Sequence, residues 1–461
     1  MVKYVFSSIS KLFISFTLTQ LFSFISSETE KIHFAFEIFR HGARAPFTGV
    51  VDGKDCYGYS WPGTSELSYV GRRMHYLLGA HNRKRYVGTL LSESYTQSEI
   101  YVISTDVNRT LESVSSQLQG LYPSGTGPKL TQIQQRNAFP PNTNYTVDMT
   151  EEANNLEDKA LPNLIDLVPI HTFDVKKHTF QLHDKNNCPG AEKAYTESLG
   201  RKEISDFIKK LNEKYGKQLI KFEKEPKEDF LSDYWTTYKY MDAFIANRVN
   251  GESMKPLTDL DINLDEFEKY ALEFLWLDYL GTNFNNYYLA RVSMTHTMKE
   301  VLRYMENIKN NTEGVYYKPK FVMYSAHDTT IGAFEVFNHL AFNTKIEYAK
   351  FAENCFYELY TKKDGAYYVR YLMKDQIKFD ITFEDFKEGI LKNILSDDEI
   401  NDYCDFNGQN WKKSFIISTY VLAGVVVLLG VLVVIMCIKK RSRIEPMIDN
   451  VSPLTEGIAN V

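Results

Sequence analysis

The amino-acid sequence predicts an α/β fold with a helical insert domain, plus one C-terminal transmembrane helix. Three short apolar runs each end in polar residues and precede a stretch that can start a helix, which is typical of a largely parallel sheet. Helical periodicity dominates the middle of the chain. Near the C-terminus, 25 consecutive residues carry no charge, which is long enough to span a bilayer.

The first 27 residues indicate a cleaved signal peptide. Lys3 and Lys11 precede an apolar run from Leu12 to Ile25, and the small residues Ser26 and Ser27 are suited to cleavage. An N-terminal membrane anchor is the alternative. The apolar run is short for a membrane span and is interrupted by Ser, Thr and Gln, so we favour the signal peptide.

Residues 28–410 are then expected to form one luminal or extracellular domain. Its α/β core takes up about residues 28–150 and 289–405, and a helical cap insert takes up about residues 151–288. We predict insert helices over residues 197–215, 231–249 and 264–280. The acidic residues of the last helix alternate with an apolar face, and we interpret them as solvent-exposed rather than as a metal site.

The charges that flank the uncharged run, residues 414–438, predict its orientation. A basic cluster, Lys439–Arg443, follows the run, and fewer basic residues precede it. Basic residues accumulate on the cytoplasmic side of a membrane span. With a cleaved signal peptide, this distribution predicts a single-pass type I membrane protein whose cytoplasmic tail covers residues 439–461.

The net charge limits the classes of possible binding partner, and the cysteines indicate the cellular compartment of the domain. The formal net charge of −6 argues against a nucleic-acid-binding protein. Four cysteines outside the span suggest two disulfides in an oxidising compartment, with three alternative pairings: Cys56, Cys188, Cys355 and Cys404. The sequons that begin at Asn144 and Asn310 are candidate glycosylation sites.

The three apolar runs are expected to bring their polar ends together. Ile32–Phe39 precedes "RHGARAP", Ile100–Ile103 precedes "STDVNRTLES", and Phe321–Tyr324 precedes "SAHDTTIGAF". Helices should follow over Leu67–Tyr86 and from Thr105 or Asp106 through Leu118. Ligands of parallel sheets bind beyond the carboxyl ends of the strands. Residues that are far apart in the chain should therefore converge in one crevice.

The polar residues at these ends have the chemistry of a phosphate site. Each motif alone is as compatible with a solvated loop, but a coincidence at three strand ends is improbable. Planar guanidinium groups suit phosphate oxygens, and neighbouring cations favour a neutral, nucleophilic imidazole. The candidates are Arg40, Arg44 and Arg109 for binding, His41 as nucleophile, His327 for binding, and Asp328 as proton donor. The sequence has no ligand cluster, Walker loop or "HExxH" motif, so we predict no metal or cofactor.

At this point the motifs show a family resemblance. "RHGARAP", "STDVNRT" and "SAHDTT" resemble the three signatures of the histidine acid phosphatases, and "RHGxRxP" distinguishes this branch from the phosphoglycerate-mutase-like branch. The resemblance covers most of Ile32–Cys404, and the C-terminal span is similar to that of membrane-bound and lysosomal members. It implies a phosphoglycerate mutase-like three-layer α/β core with a helical insert.

The resemblance also implies roles for individual residues. His41 would attack phosphorus and form a phosphohistidine, Asp328 would protonate the departing alcohol, and the phosphate would be held by Arg40, Arg44, Arg109 and His327. Cys188 and Cys404 match positions that the family pairs, which leaves Cys56 and Cys355 as a second pair by elimination.

Three functional hypotheses remain open. The first is an acid phosphatase that acts on phosphomonoesters, either small molecules or phosphoproteins. The second is a phytase or inositol-polyphosphate phosphatase, which Ala43 favours mildly because phytases among the resembled family carry Ala at this position of the motif. We expect both Ala43 and Asn108 to line the pocket region and so to affect substrate preference. The third is a catalytically weak ectodomain that binds a phosphorylated ligand. The destination is either the lysosome or phagosome, or the cell surface, and a homodimer is one candidate oligomeric state.

Overall fold

A computed structural model describes residues 30–140, 149–172, 188–223, 231, 233–283, 287–312, 319–404 and 409–448. The predicted signal peptide and Asn144 lie outside these residues. The described strands form one seven-stranded sheet with the order β3–β2–β4–β1–β5–β6–β7. The strands are β1 (Lys31–Arg40), β2 (Ile100–Ser104), β3 (His171–Thr172), β4 (Phe321–Ala326), β5 (Asn354–Thr361), β6 (Tyr367–Met373) and β7 (Gln376–Thr382).

The three motif-bearing strands lie side by side and run parallel. β4 pairs with β1 on one side and with β2 on the other. The last residues of the strands are in register, with Arg40 opposite Ala326 and Ser104 opposite Ser325. The carboxyl half of β1 is buried throughout, as expected for a central strand that is covered on both faces. The predicted convergence of the strand ends is confirmed.

The other half of the sheet is antiparallel, so the sheet is mixed rather than largely parallel. β5 pairs antiparallel with β1, and β6 and β7 continue the antiparallel order. Lys374 and Asp375 join β6 to β7 with φ of 56° at both positions. Two residues with positive φ form a tight hairpin turn. A connection this short cannot make the crossover that a parallel pair requires.

Among the described residues there are fourteen helices, which include the three predicted over residues 67–86, 231–249 and 264–280, with ends shifted by at most three residues. They are α1 (Tyr69–Tyr86), α2 (Asn108–Leu121), α3 (Gln132–Asn137), α4 (Thr150–Leu156), α5 (Pro189–Leu199), α6 (Lys202–Leu219), α7 (Tyr234–Val249), α8 (Lys255–Thr258), α9 (Leu264–Asn283), α10 (Tyr287–Lys309), α11 (Asp328–Phe342), α12 (Phe383–Asn393), α13 (Asp397–Cys404) and α14 (Gln409–Ile448). Short 3₁₀ turns cover Pro162–Leu164 and Ile220–Phe222.

Two expectations about helix ends were wrong. The second helix begins at Asn108, so its N-cap is Val107, whose side chain cannot accept a hydrogen bond. The Thr105 hydroxyl is hydrogen-bonded to His327 and to the Thr110 hydroxyl instead. The helix predicted over residues 197–215 is two helices, α5 and α6, separated at Gly200. The insert helices share a hydrophobic cluster with aromatic members such as Phe207, Phe244 and Phe267. Helical periodicity therefore predicted helices in this part of the chain but not the break between α5 and α6.

The cysteines correct one inferred disulfide. Cys188 and Cys404 are both disulfide-bonded, which agrees with the resemblance. Cys56 and Cys355 are free, so the second pair inferred by elimination is wrong. The Cys355 sulfur lies 3.5 Å from the Tyr371 hydroxyl in the sheet core, and the Cys56 sulfur lies 4.0 Å from the carbonyl oxygen of Lys239 in the insert cluster. The two thiols are fixed in different hydrophobic clusters.

The C-terminal helix α14 contains an apolar segment, Ser418–Met436, with a mean hydropathy of 2.8. By length and composition, this segment can cross a membrane, and it lies inside the span predicted at residues 414–438. The helix continues to Ile448, so it extends into the segment that the sequence suggested as a tail.

Candidate active site

The ends of β1, β2 and β4 open into a cavity of about 260 Å³. Arg40 is the last residue of β1, Arg109 lies in the first turn of α2, and Asp328 starts α11 directly after β4. All six side chains that the motifs singled out line the cavity: Arg40, His41, Arg44, Arg109, His327 and Asp328. The sheet therefore brings together three segments that are far apart in the chain.

His41 is almost completely buried, with an exposed fraction of 2%. Its Nδ1 lies 2.9 Å from the carbonyl oxygen of Gly42. A carbonyl oxygen only accepts, so the proton is on Nδ1 and the Nε2 lone pair is free. Burial, followed by the positive charges of Arg109 and the other arginines, holds the pKa of His41 well below its usual range. His41 is thus a neutral imidazole with one defined tautomer.

Position 42 requires glycine because the backbone of α1 lies very close to the backbone of the first motif, residues 40–46. A Cβ at Gly42 would lie 2.5 Å from the carbonyl oxygen of Gly71, and a Cβ at Gly71 would lie 2.2 Å from the carbonyl oxygen of Ala43. The side chain of Ala43 is completely buried beside this contact and does not line the cavity. Asn108 is exposed and does not line it either. The expectation that these two residues line the pocket region was wrong.

Two of the arginines form ion pairs inside the cavity. Arg40 Nη2 lies 2.7 Å from Asp328 Oδ2. Arg44 donates two hydrogen bonds to Asp242, of 2.8 and 3.1 Å, in a bidentate arrangement. The same carboxylate accepts a 2.6 Å hydrogen bond from the backbone N–H of Phe47. The insert helix α7 therefore fixes the orientation of an arginine from the first motif.

Arg109 and His327 hold each other in place. Arg109 Nη2 lies 3.2 Å from His327 Nδ1, so Nδ1 accepts and the ring proton is on Nε2. This Nε2 lies 3.0 Å from the hydroxyl oxygen of Thr105 at the end of β2. Burial and the nearby Arg44 lower the pKa of Arg109 to about 10, so it is still charged at neutral pH. Within the described residues, Arg109 has no ion pair with a carboxylate.

Opposing effects determine the charge of Asp328. Burial raises the pKa of its carboxyl group, but the charges of Arg40 and then Arg44 lower it more strongly. The net result is a pKa below the usual range for an aspartate. Asp328 is therefore an ionised carboxylate at neutral pH.

Much of the remaining cavity wall was not predicted from the sequence. The ring of Phe351 lies under the Arg40 guanidinium group, with 4.3 Å between the ring centre and the guanidinium carbon. The Tyr348 hydroxyl accepts a 3.2 Å hydrogen bond from Arg40. Both come from the segment between α11 and β5, which has no regular structure and hence no periodicity. The other unpredicted lining residues are Phe47, Tyr195, Tyr234, Trp235, Tyr238, Asp242, Ile245, Leu275, Asp278 and Thr329.

The interpretation of Asp278 as part of a solvent-exposed acidic face was wrong. Asp278 lines the cavity, and its Oδ1 accepts a hydrogen bond from the Tyr234 hydroxyl. Burial, with the negative charges of Asp328 and Asp242, raises the pKa of Asp278 to about 7. Across the described parts of the chain, no group of three or more His, Cys, Asp and Glu residues is placed to hold a metal ion.

An α/β sheet that ends in arginines around a neutral histidine defines a histidine-type phosphatase site. The chain belongs to the histidine phosphatase superfamily, branch 2, whose family model matches residues 31–374. It is 27% identical to the lysosomal acid phosphatase of Xenopus laevis over 369 residues, which is 79% of this chain and 74% of that protein. It is 26% identical to the human prostatic acid phosphatase over 366 residues, which is 75% of this chain and 78% of that protein.

Solved structures with low sequence identity share the fold. The phytase of Citrobacter braakii has a TM-score of 0.53 at 12% identity, and the match covers 79% of this chain and 98% of that one. The apo form of the Hafnia alvei phytase has a TM-score of 0.52 at 14% identity, and the match covers 80% of this chain and 98% of that one.

Proposed function

We propose that this protein is an acid phosphatase that hydrolyses phosphate monoesters through a phosphohistidine formed on His41. One observation carries the proposal: the unprotonated Nε2 of a neutral, buried imidazole lies in a cavity lined by three guanidinium groups. The similarity to lysosomal and prostatic acid phosphatases supports the same reaction. The presence of all the expected groups in one cavity favours turnover over a role in ligand binding alone.

In the first step, His41 Nε2 attacks phosphorus and the bond from phosphorus to the ester oxygen breaks. Arg40, Arg44 and Arg109 neutralise the charge on the equatorial phosphoryl oxygens. Asp328 gives its proton to the departing alkoxide or phenoxide. The ring proton of His327 is on Nε2, which is hydrogen-bonded to Thr105, so a hydrogen bond from this ring to phosphate replaces the one with Thr105.

In the second step, water attacks the phosphohistidine. The Asp328 carboxylate, left unprotonated by the first step, takes a proton from this water as it attacks. The bond from phosphorus to Nε2 breaks, inorganic phosphate forms, and the neutral imidazole is restored. Asp328 is protonated again and is ready for the next substrate.

The acid preference follows from the ion pair between Arg40 and Asp328. Asp328 must carry a proton in the first step, yet Arg40 favours its ionised form. A bound phosphate dianion competes for Arg40 and adds negative charge beside the carboxyl group. Both effects raise the pKa of Asp328. Mildly acidic pH then increases the fraction of enzyme that carries the required proton.

The direct test is hydrolysis of 4-nitrophenyl phosphate by the full-length protein in detergent at pH 5 without added metal. Hydrolysis is expected for the wild-type protein and should be lost in His41→Ala. After denaturation at alkaline pH, phosphate from the substrate should be found on His41. Substantial hydrolysis by His41→Ala would refute the assignment of the nucleophile.

The same proposal includes membrane anchorage in a type I orientation, with a signal peptide at residues 1–27 and an anchor at residues 414–438. The apolar helix segment Ser418–Met436 supports the anchor, and the disulfide-bonded Cys188 and Cys404 suit a luminal or extracellular domain. Asn310 is exposed at the end of α10 and is a candidate glycosylation site. Protease protection of two epitope tags, one placed directly after residue 27 and one at the C-terminus, tests this topology in sealed vesicles.

A further inference from the structure

The insert domain supplies the cavity wall that faces the catalytic motifs. We name this surface the insert wall, and it consists of Tyr195, Tyr234, Trp235, Tyr238, Ile245, Leu275 and Asp278. Asp242 also lines the cavity from α7, but it is left out of the insert wall because it is paired with Arg44. The cationic side chains among the described lining residues all come from the three motifs, whereas the insert wall supplies aromatic, aliphatic and carboxyl groups. The cavity is therefore cationic on the phosphate side and aromatic and acidic on the opposite side.

Exposed rings mark the mouth of this cavity. Trp235 is 50% exposed and Phe47 is 43% exposed, although both are large apolar side chains. The ring of Tyr238 contacts both of them, with centroid distances of 6.0 Å to Trp235 and 6.2 Å to Phe47. Aromatic faces held open to solvent by neighbouring rings can stack on a planar group. A leaving group that extends from a bound phosphate meets these rings.

Asp278 is the charged group of the insert wall. It lies on α9, is partly exposed to the cavity, and is oriented by the Tyr234 hydroxyl from α7. The titratable and charged groups that face it are Tyr195 from α5, Tyr234, Tyr238 and Asp242 from α7, Asp328 from α11, and Arg201 before α6. Arg201 donates a 2.8 Å hydrogen bond to the carbonyl oxygen of Leu277.

We propose that the insert wall is the leaving-group subsite, that it selects aromatic leaving groups, and that Asp278 favours a cationic substituent over an anionic one. This inference rests on the proposed phosphatase function. The transferred phosphate engages Arg40, Arg44 and Arg109, which are the only arginine or lysine side chains among the described residues that line the cavity. The described cavity thus offers no further cation for a second phosphate, so polyphosphorylated inositols are poor substrates.

Two matched substrates test the role of Asp278: the phosphate esters of tyramine and of 3-(4-hydroxyphenyl)propionate. They share the ring and the phosphate and differ in an ammonium or a carboxylate at the end of the same chain. Effects of pH on the phosphate, on His41 and on Asp328 therefore cancel in the ratio of their kcat/KM values. Because the pKa of Asp278 is near 7, the ratio should rise about fivefold in favour of the ammonium between pH 5.5 and 7.5.

The full-length wild-type protein is compared with Asp278→Asn and with the control Glu273→Gln. Asn can still accept the hydrogen bond from Tyr234, and Glu273 is an exposed acid on the same helix that does not line the cavity. We expect the rise in the ratio to disappear in Asp278→Asn and to persist in Glu273→Gln. A ratio that is constant in the wild-type protein, or that rises equally in Asp278→Asn, overturns the role of Asp278.

A second wild-type measurement compares phytate with 4-nitrophenyl phosphate, and it does not depend on any variant folding. We expect kcat/KM for phytate to be at least about tenfold lower. Equal or faster turnover of phytate overturns the selection against anionic leaving groups. If the wild-type protein hydrolyses none of the four substrates, the phosphatase proposal itself fails and this inference fails with it.

Discussion

Arg40 and Asp328 form an ion pair of 2.7 Å across the active-site cavity, so the proposed proton donor is held in its ionised form. An isolated carboxyl group at this depth would have a raised pKa because of burial. The arginines reverse that effect. In the reaction we propose, the bound phosphate dianion raises the pKa of Asp328, so that Asp328 takes up a proton when substrate binds. Substrate binding is thereby coupled to the protonation state of the acid.

Removal of the acid should have an effect that depends on the leaving group. Asp328→Asn is expected to lower kcat/KM, which reports the first step alone, by about 10²–10⁴-fold for an alkyl phosphate, since an alkoxide needs the proton. The loss should be much smaller for 4-nitrophenyl phosphate, whose leaving group is stable as an anion. Steady-state kinetics with the two esters makes this comparison. Equal losses for both esters would contradict the assignment of Asp328 as proton donor.

Removal of the nucleophile should abolish turnover with every ester. His41→Ala leaves no imidazole to accept the phosphoryl group, and the arginine cluster can still bind phosphate. We expect hydrolysis to fall to background while inorganic phosphate still binds, as measured by calorimetry. His81→Ala is the control, because His81 is a half-exposed residue of α1 outside the cavity. It should retain wild-type activity.

The buried pair Arg44–Asp242 should stabilise the fold as well as the site. Both side chains are at most 5% exposed, so Asp242→Ala leaves an uncompensated buried guanidinium group. We expect a loss of about 3–5 kcal/mol in the free energy of unfolding, measured by urea denaturation. Glu112→Ala breaks a solvent-exposed pair with Arg72 and should cost less than about 1 kcal/mol. If Asp242→Ala lost as little unfolding free energy as Glu112→Ala, the buried Arg44 would not require Asp242 for the stability of the fold.

Gly42 should not tolerate even a methyl group. The Cβ of Gly42→Ala would lie 2.5 Å from a backbone oxygen of α1, and backbone atoms cannot move aside as a flexible side chain can. We expect a destabilisation of about 1–3 kcal/mol and a loss of activity, because the adjacent His41 moves. Gly200→Ala is the control, since its Cβ would make only an ordinary contact of 3.7 Å. Thermal unfolding and kcat measure the two effects.

Glu37 should make the fold more stable at acidic pH. This carboxyl group is completely buried in β1, and burial raises its pKa to about 7 although amide groups of Asn354, Asn82 and Gln117 donate hydrogen bonds to it. A folded-state pKa above the unfolded value means that the folded state binds the proton more tightly. The contribution of Glu37 is therefore fully present below about pH 4.5 and is lost as pH rises through 7.

The measurement is the difference in unfolding free energy between the wild-type protein and Glu37→Gln. We expect this difference to fall by on the order of 3 kcal/mol between pH 4.5 and 7.5. The difference is needed because the buried His41 and His75, whose pKa values are lowered, produce the opposite slope in the total stability. A difference that does not depend on pH would contradict the raised pKa of Glu37.

The sequence predicted the parts of the fold and site that depend on local chemistry. Apolar runs that end in arginine, histidine or aspartate are recognisable as buried strands that lead to a site, and β1, β2 and β4 confirmed this. The antiparallel half of the sheet was missed. It contains the short hairpin turn at Lys374 and Asp375 between β6 and β7, and no apolar pattern in the sequence marks this turn.

The two acids that the sequence did not assign to the cavity were missed for the same physical reason. Asp242 and Asp278 are single acids on amphipathic helices, and in sequence they do not differ from residues of a solvated face. Only the packing of the insert against the sheet directs them into the cavity. Ala43 shows the converse case. Its place inside the first motif suggested a role in specificity, but the close contact with α1 buries it completely.

The hydrogen bond from His41 Nδ1 to the neighbouring Gly42 carbonyl oxygen determines the regiochemistry of the phosphoenzyme. With Nδ1 occupied by its own loop, phosphate can join the ring only through Nε2. A single positional isomer of phosphohistidine should therefore accumulate, whichever ester supplies the phosphate. Its ³¹P resonance would be one line, common to all substrates.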